Sequence, residues 1–228
     1  MTSWVLRTFK TREKLPMLTL FKALVLPILE YCSVLWCPIS VGQIQKIETL
    51  QWSFFRKIKG VNKTNYWECL KDLKMYSLQR RRERFRILYI YKIMQGLVPN
   101  VNGQIQSKIN PRLGGKCCVS IIKPFSYSKT REASFTNHAP KLFNVLPKML
   151  RNETKAPLAK FKSMVDNFLK YVPDEPQLPN YTICRRAESN SIIHMVEHIT
   201  ENKSRAAKPI SACTTEIHAA RGDRHLTL

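Results

Sequence analysis

The stretch from Ser77 to Gly96 constrains this chain more than any other. It places five arginines, Arg80, Arg81, Arg82, Arg84 and Arg86, within seven residues, and then runs straight into an apolar pattern. Ser77 can accept a backbone N–H bond and so start a helix. Leu78, Phe85, Leu88, Tyr89 and Ile93, with the stem of Lys92, recur at helical spacing. Gly96 can adopt the left-handed conformation that stops a helix, and Pro99 prevents a restart. The pattern predicts an amphipathic helix with one face buried and the other offering guanidinium groups to something acidic.

The flanking sequence sets this helix among others. Residues 4–9 read as the end of a helix whose start is missing, which suggests a fragment. Residues 15–37 read as the most apolar helix, with Leu20, Leu24, Pro27, Ile28, Tyr31 and Leu35 as its stripe, a bend at Pro27 and a stop at Pro38. Ser40 and Gln43 fit a capping box, followed by a stripe of Ile44, Ile47, Leu50, Phe54 and Ile58. After a turn over 60–65, a short helix carries Trp67, Leu70 and Leu73. Residues 97–133 read as a loop or weak hairpin linker with a strand near 117–122, and 134–171 as a short helical pair. Residues 172–228, with prolines at 173, 176 and 179, read as a disordered tail with a short helix near 190–199. The fold class is therefore mainly α, with a basic helical domain over 1–96.

Charge points to the partner. The chain carries a net charge of +22, which bears on partners more than on fold. From Arg56 to Lys92, twelve Lys and Arg face three acids, more than an ordinary solvated face needs. Nucleic acid is the first candidate and an anionic membrane surface the second. Arg56, Lys57, Lys59 and Lys63 join the five helix arginines as candidate nucleic-acid-binding residues, although cations at 56, 57 and 59 also suit a helix C-terminus. Aromatics interleave with these charges (Trp52, Phe54, Phe55, Tyr66, Trp67, Phe85, Tyr89, Tyr91), where bases could stack or a core could form.

Several chemistries find no signature. The seven cysteines are irregularly spaced without a C-x-x-C pair, against a disulfide framework or zinc site. Cys32 and Cys69 read as small core residues of a reduced, intracellular protein, nuclear or cytoplasmic. No secretory h-region is visible, and Lys22, Pro27 and Glu30 interrupt the one apolar run that approaches a membrane span. No phosphate-binding glycine loop occurs, and Gly114-Gly115-Lys116 is too short to count. His194 and His198 have i, i+4 spacing without a third ligand. The four aspartates, Asp72, Asp166, Asp174 and Asp223, are isolated in sequence, so no two-metal phosphoryl-transfer pair is apparent. No catalytic and no metal-ligating residue is assigned.

An ordered series of phrases resembles the post-palm region of jockey-like non-LTR retrotransposon reverse transcriptases. The series runs from Leu26-Pro27-Ile28-Leu29-Glu30-Tyr31 with Val34-Leu35-Trp36, through Lys46-Ile47-Glu48 with Gln51, to Tyr66-Trp67-Glu68 with Leu70 and Leu73. It continues through Ser77-Leu78 with Arg80-Arg81-Arg82, Tyr91-Lys92-Ile93 with Gly96, Phe135 with Asn144 and Leu146-Pro147, and Phe161-Lys162 with Asp166. The likeness covers roughly residues 4–170. The family carries arginine at the places of Leu26, Cys69 and His138, and tryptophan at that of Phe143. The resemblance implies a thumb-like, helical region C-terminal to a polymerase palm. It implies a parent RNA-directed DNA polymerase that uses magnesium through aspartates upstream of Met1, and an RNA or RNA/DNA duplex as partner. On that reading the chain alone is not catalytic: it lacks the palm and keeps a basic template/primer-binding surface, with the helix over Arg80–Arg86 as the grip. A non-catalytic helical interaction module, or a functionless relic of the element, is the alternative.

Overall fold

A computed structural model describes residues 2–38, 40–100, 103, 105–110, 118–179, 181 and 189–206. It is mainly helical. The elements are α1 (Thr2–Thr8), α2 (Lys14–Leu20), a π-helical turn (Phe21–Val25), α3 (Leu26–Glu30), α4 (Val41–Phe55), α5 (Tyr66–Asp72) and α6 (Leu78–Met94). A hairpin of β1 (Ser107–Asn110) and β2 (Cys118–Ile121) follows, then α7 (Lys129–Ala133), α8 (Phe135–Val145), α9 (Lys148–Asn152), α10 (Leu158–Lys170) and α11 (Ile192–Ala206). Residues 1–196 cluster as one compact unit; the rest of α11 belongs to a second unit that starts at Glu197.

Local signals place many of the helix ends. Ser40 caps α4 by accepting the Gln43 N–H at 3.3 Å, Asn65 caps α5 at Trp67, and Ser77 caps α6 at Arg80. At the far end of α6, Gly96 has φ +71°, and its N–H and that of Leu97 donate to the carbonyls of Ile93 and Lys92. This is the paired-bond stop that a left-handed residue permits. Pro27 acts earlier than a simple bend. It has no N–H and its ring crowds the carbonyl four residues back, and the chain widens into a π turn just before it, with the Leu26 N–H reaching the Phe21 carbonyl.

That widening shifts the buried face. Met17, Leu18, Phe21, Val25 and Leu26 enter the core, while Tyr31 and Leu35 of the expected stripe are 75% and 72% exposed. The helix ends at Glu30, not near 37, and Cys32, expected in the core, sits exposed in the following turn; Cys69 is buried. In α4 the inward face is also rotated. Glu48, Gln51, Trp52 and Phe55 point in and Leu50 is 44% exposed.

Two apolar clusters result. One gathers α1 to α5, with Phe21 against Phe54 and Phe55, and extends to Leu78 and Leu178. The other gathers Ile87, Ile90 and Tyr91 of α6 with the hairpin, α8, α9, α10 and Ile192. Tyr91 stacks flat on Phe161 at 3.7 Å. The hairpin pairs Ser107 with Ile121 and Asn110 with Cys118. The Asn144 side chain closes the free edge of β2 by bonding both the N–H and the carbonyl of Ile121.

Helix α6 serves both clusters, and none of its residues is exposed. The sequence pattern anticipated one solvated face; the helix is instead wrapped on every side. A boundary at residue 96 does not exist for the same reason. The 134–171 pair is three helices, and α7 forms inside the expected linker.

The expected disordered tail also needs correction over its described part. Val172, Leu178, Asn190 and Ile192 are buried. The Asp174 carboxylate accepts the Ser77 N–H at 2.8 Å and the Ser77 hydroxyl at 2.7 Å, and Asn190 donates to both Asp174 and Ser77. The prolines hinder a helix but leave the chain free to lie over the start of α6. Residues 207–228 lie outside the described residues.

Asp174→Ala is expected to strand the Ser77 N–H and the Asn190 amide, and to cost about 1–3 kcal/mol in chemical unfolding. Equal stability of wild type and variant would contradict the anchoring role of Asp174 and Asn190.

Candidate nucleic-acid interface

The five α6 arginines were the expected contact surface, and the structure turns them inward. Arg80, Arg82 and Arg86 are 0%, 2% and 1% exposed. Arg80 donates to the carbonyls of Val172 (3.2 Å) and Pro173, just past the end of α10. Arg82 donates to the Leu29 carbonyl in the last turn of α3 at 3.0 Å, and lies 4.5 Å over the Trp36 ring. Arg86 donates at 3.1 Å to the carbonyl of Ala133, the last residue of α7. Arg82 and Arg86 thus meet carbonyls in the last turns of α3 and α7, at their negative ends, and Arg80 meets two carbonyls of the segment that follows α10.

The other two arginines pair with acids. Arg81 bonds the Glu30 carboxylate, and Arg84 grips Asp166 with two bonds, Nε to Oδ1 at 2.5 Å and Nη2 to Oδ2 at 2.7 Å. The remaining candidates divide. Arg56 donates to the Tyr181 hydroxyl at 2.8 Å and Lys59 lies 3.4 Å from Glu13, while Lys57 and Lys63 are exposed. Of the interleaved aromatics, Trp52, Phe54, Phe55, Tyr66 and Tyr91 are core, leaving Trp67, Phe85 and Tyr89 half-buried.

Two buried acids complete the layer. Glu83 accepts the Ile192 N–H at 2.7 Å, at the positive end of α11. Burial raises its pKa, opposed by that backbone bond and the nearby Ser191 side chain, then by Arg80 and Arg86. Glu48 accepts the Tyr66 hydroxyl at 2.7 Å and the Gln79 N–H at 2.8 Å in the first turn of α6. Burial pushes Glu48 up to about 7.

What remains open to solvent is a lysine-lined groove. Two cavities, of about 430 and 400 Å³, share Arg84 and Phe85 as walls. Lys22 of the π turn and Lys74 line one, and Lys92 of α6 and Lys162 of α10 line the other. The two carboxylates of the groove, Glu30 and Asp166, are already held by Arg81 and Arg84. No ion pair of the four lysines occurs among the described residues, so their charge faces the groove uncompensated. Phe85 lies about 6 Å from both guanidinium carbons, 6.0 Å from that of Arg81 and 5.9 Å from that of Arg84. None of these four lysines was a candidate from the sequence: as charges, Lys74 and Lys92 entered only the count over 56–92, and Lys22 and Lys162 lie outside it. Lys74 has φ +51° between α5 and α6, with no sequence signal for its direction.

Metal chemistry does not fit the described carboxylates. Asp72 pairs with Lys14 at 2.7 Å, Asp166 with Arg84, and Asp174 with Ser77 and Asn190. Among the described residues no group of three His, Cys, Asp or Glu could hold an ion. No helix among the described residues is long and apolar enough to cross a membrane. Comparison with known proteins finds no matching family model, curated protein or solved structure.

The Glu48 carboxyl titrates higher in the folded chain than in the unfolded one. The folded state therefore binds more protons between these two values, and stability must fall as pH rises from about 4.5 to about 7. The wild-type minus Glu48→Gln stability difference is expected to fall by roughly 3 kcal/mol across that window. A pH-independent difference in urea melts would contradict it. Arg84→Ala, which leaves Asp166 unpaired, is expected to cost about 1–3 kcal/mol by the same measurement.

Proposed function

We propose that this chain is a nucleic-acid-holding helical region of a reverse transcriptase of the non-LTR retrotransposon kind, and that it holds an RNA or RNA/DNA duplex without performing polymerisation itself. The observation that carries the proposal is the separation of charge. Arginines form the internal frame, and unpaired lysines line a groove whose own acids are neutralised. Mobile, strongly hydrated ammonium groups suit sequence-independent contact with phosphates, whereas planar guanidinium forks suit fixed internal bonds. The half-buried Phe85 adds an apolar face beside the four lysines. The resemblance in the sequence supplies the parentage of the proposal, and the magnesium-binding palm of such a polymerase would be a separate domain.

A second reading has its own support. Ile28, Tyr31, Leu35 and Trp36 are all exposed around the turn after α3, and such a group of apolar side chains suits a protein-docking module.

In the full chain, Lys22→Gln, Lys74→Gln, Lys92→Gln and Lys162→Gln together are expected to weaken duplex binding. They should flatten the dependence of log affinity on log salt by about three to four, since each phosphate contact contributes a slope of about 0.9. Fluorescence anisotropy with an RNA/DNA hybrid across a salt series reads this. An unchanged slope in a folded variant would refute the groove, and no binding by wild type at low salt would refute the proposal as a whole.

A further inference from the structure

On another side of α6 lies a cavity of about 400 Å³, walled by Arg82, Arg86, Lys129, His138, Lys141 and Cys37. It is separate from the lysine groove and is built around a buried guanidinium with unused donors. Arg86 Nη1 is occupied: it donates to the Ala133 carbonyl and meets His138 Nδ1, both at 3.1 Å. Arg86 Nε and Nη2 are buried and have no partner among the described residues, and the same holds for Arg82 Nε. A buried donor left unbonded costs free energy, and a charged one costs more.

Among the described residues no group accepts a hydrogen bond from these donors, and the Ser191 hydroxyl, which also lines the cavity, is likewise buried without a partner. An arginine can only donate, so His138 Nδ1 is the acceptor and the remaining ring nitrogen carries the hydrogen. Burial, with Arg86 and Lys141 nearby, holds His138 down at about 4, so it stays a neutral donor at physiological pH. Glu83 is engaged by the N–H of Ile192, and Glu132 by Lys141 and by Lys123 at 3.5 Å. Arg82, Arg86, Lys129 and Lys141 thus face two carboxylates that already have partners. The excess is positive and rich in donors from α6, α7 and α8, an arrangement that fits a multiply charged tetrahedral oxyanion better than a planar carboxylate.

We infer that this cavity binds the phosphate group of a phosphate monoester, with the free Nε and Nη2 of Arg86 as the central donors and Lys129 at the rim. The volume accommodates the phosphate and a small attached body. The inference does not depend on the lysine groove or on polymerase parentage.

The test uses the full chain and inorganic phosphate as probe. Phosphate should raise the thermal midpoint saturably, while chloride at matched ionic strength should not. Lys129→Glu, which changes a rim side chain that makes no bond in the fold among the described residues, should raise the phosphate Kd by about tenfold, equivalent to about 1.4 kcal/mol. Arg86→Lys, keeping the charge and losing the fork, should abolish the saturable response. Lys22→Gln and Lys162→Gln should leave the phosphate Kd unchanged. Adenosine 5′-monophosphate, or a short RNA bearing a 5′-phosphate, should compete, which identifies the free ester or the strand end as source. Three results would overturn the site: an equal response in chloride (the donors then hold only water), a wild-type Kd in Lys129→Glu, or equal competition by RNA lacking the phosphate.

Discussion

The rest of the structure depends on how α6 keeps its charges inside. Moving an ion from water to a protein interior costs several kcal/mol even after relaxation. The chain offsets this by giving each buried charge backbone partners, for most of them at a helix end of opposite partial charge. Arg80 reaches carbonyls beyond α10, Arg82 the end of α3, and Arg86 the end of α7. Glu83 sits at the start of α11, and Glu48 at the start of α6 itself. Arg82 and Arg86 meet carbonyl ends and Glu83 and Glu48 meet amide ends, so helix dipoles and orphan backbone groups are satisfied together at these four places.

This layer explains why two apolar clusters make one unit. The clusters take different parts of α6: Leu78 belongs to the first, and Ile87 to Tyr91 to the second. Between them the arginines tie α3, α7 and α10 to α6 from different directions, and the outer bonds Arg81–Glu30 and Arg84–Asp166 repeat the ties to α3 and α10 at the rim. A helix enclosed in this way is a frame for surfaces on either side. The lysine groove opens where α6, α10 and the π turn meet, and the phosphate cavity where α6 passes α7 and α8.

Much of the helix layout was legible locally. Ser40 and Ser77 as caps and Gly96 as a stop act through neighbours a few residues away, and sequence spacing reports such neighbours. The site was legible only as an excess of charge. Nothing in the run Arg80–Arg86 shows that its partners are carbonyls at 29, 133, 172 and 173, because a helix end presents the same group whatever its residue. A high charge density reads as surface since isolated arginines are rarely buried, and that expectation fails when helix termini supply the acceptors. The described residues between 172 and 196 depart from the expected disordered tail over 172–228 for a related reason. Their composition is polar, but Asp174 and Asn190 are the anchor for the start of α6, and an anchor made of hydrogen bonds leaves no apolar periodicity.

The most direct test of the internal frame is thermal unfolding, followed by circular dichroism, of a chain carrying Arg80→Gln, Arg82→Gln and Arg86→Gln. A frame role predicts loss of the cooperative transition, because the ends of α3 and α7 and the segment after α10 lose their charged partners at once. A variant that keeps its helical signal and melts cooperatively within a few degrees of wild type would contradict it, and would return these side chains to the role of dispensable surface charge.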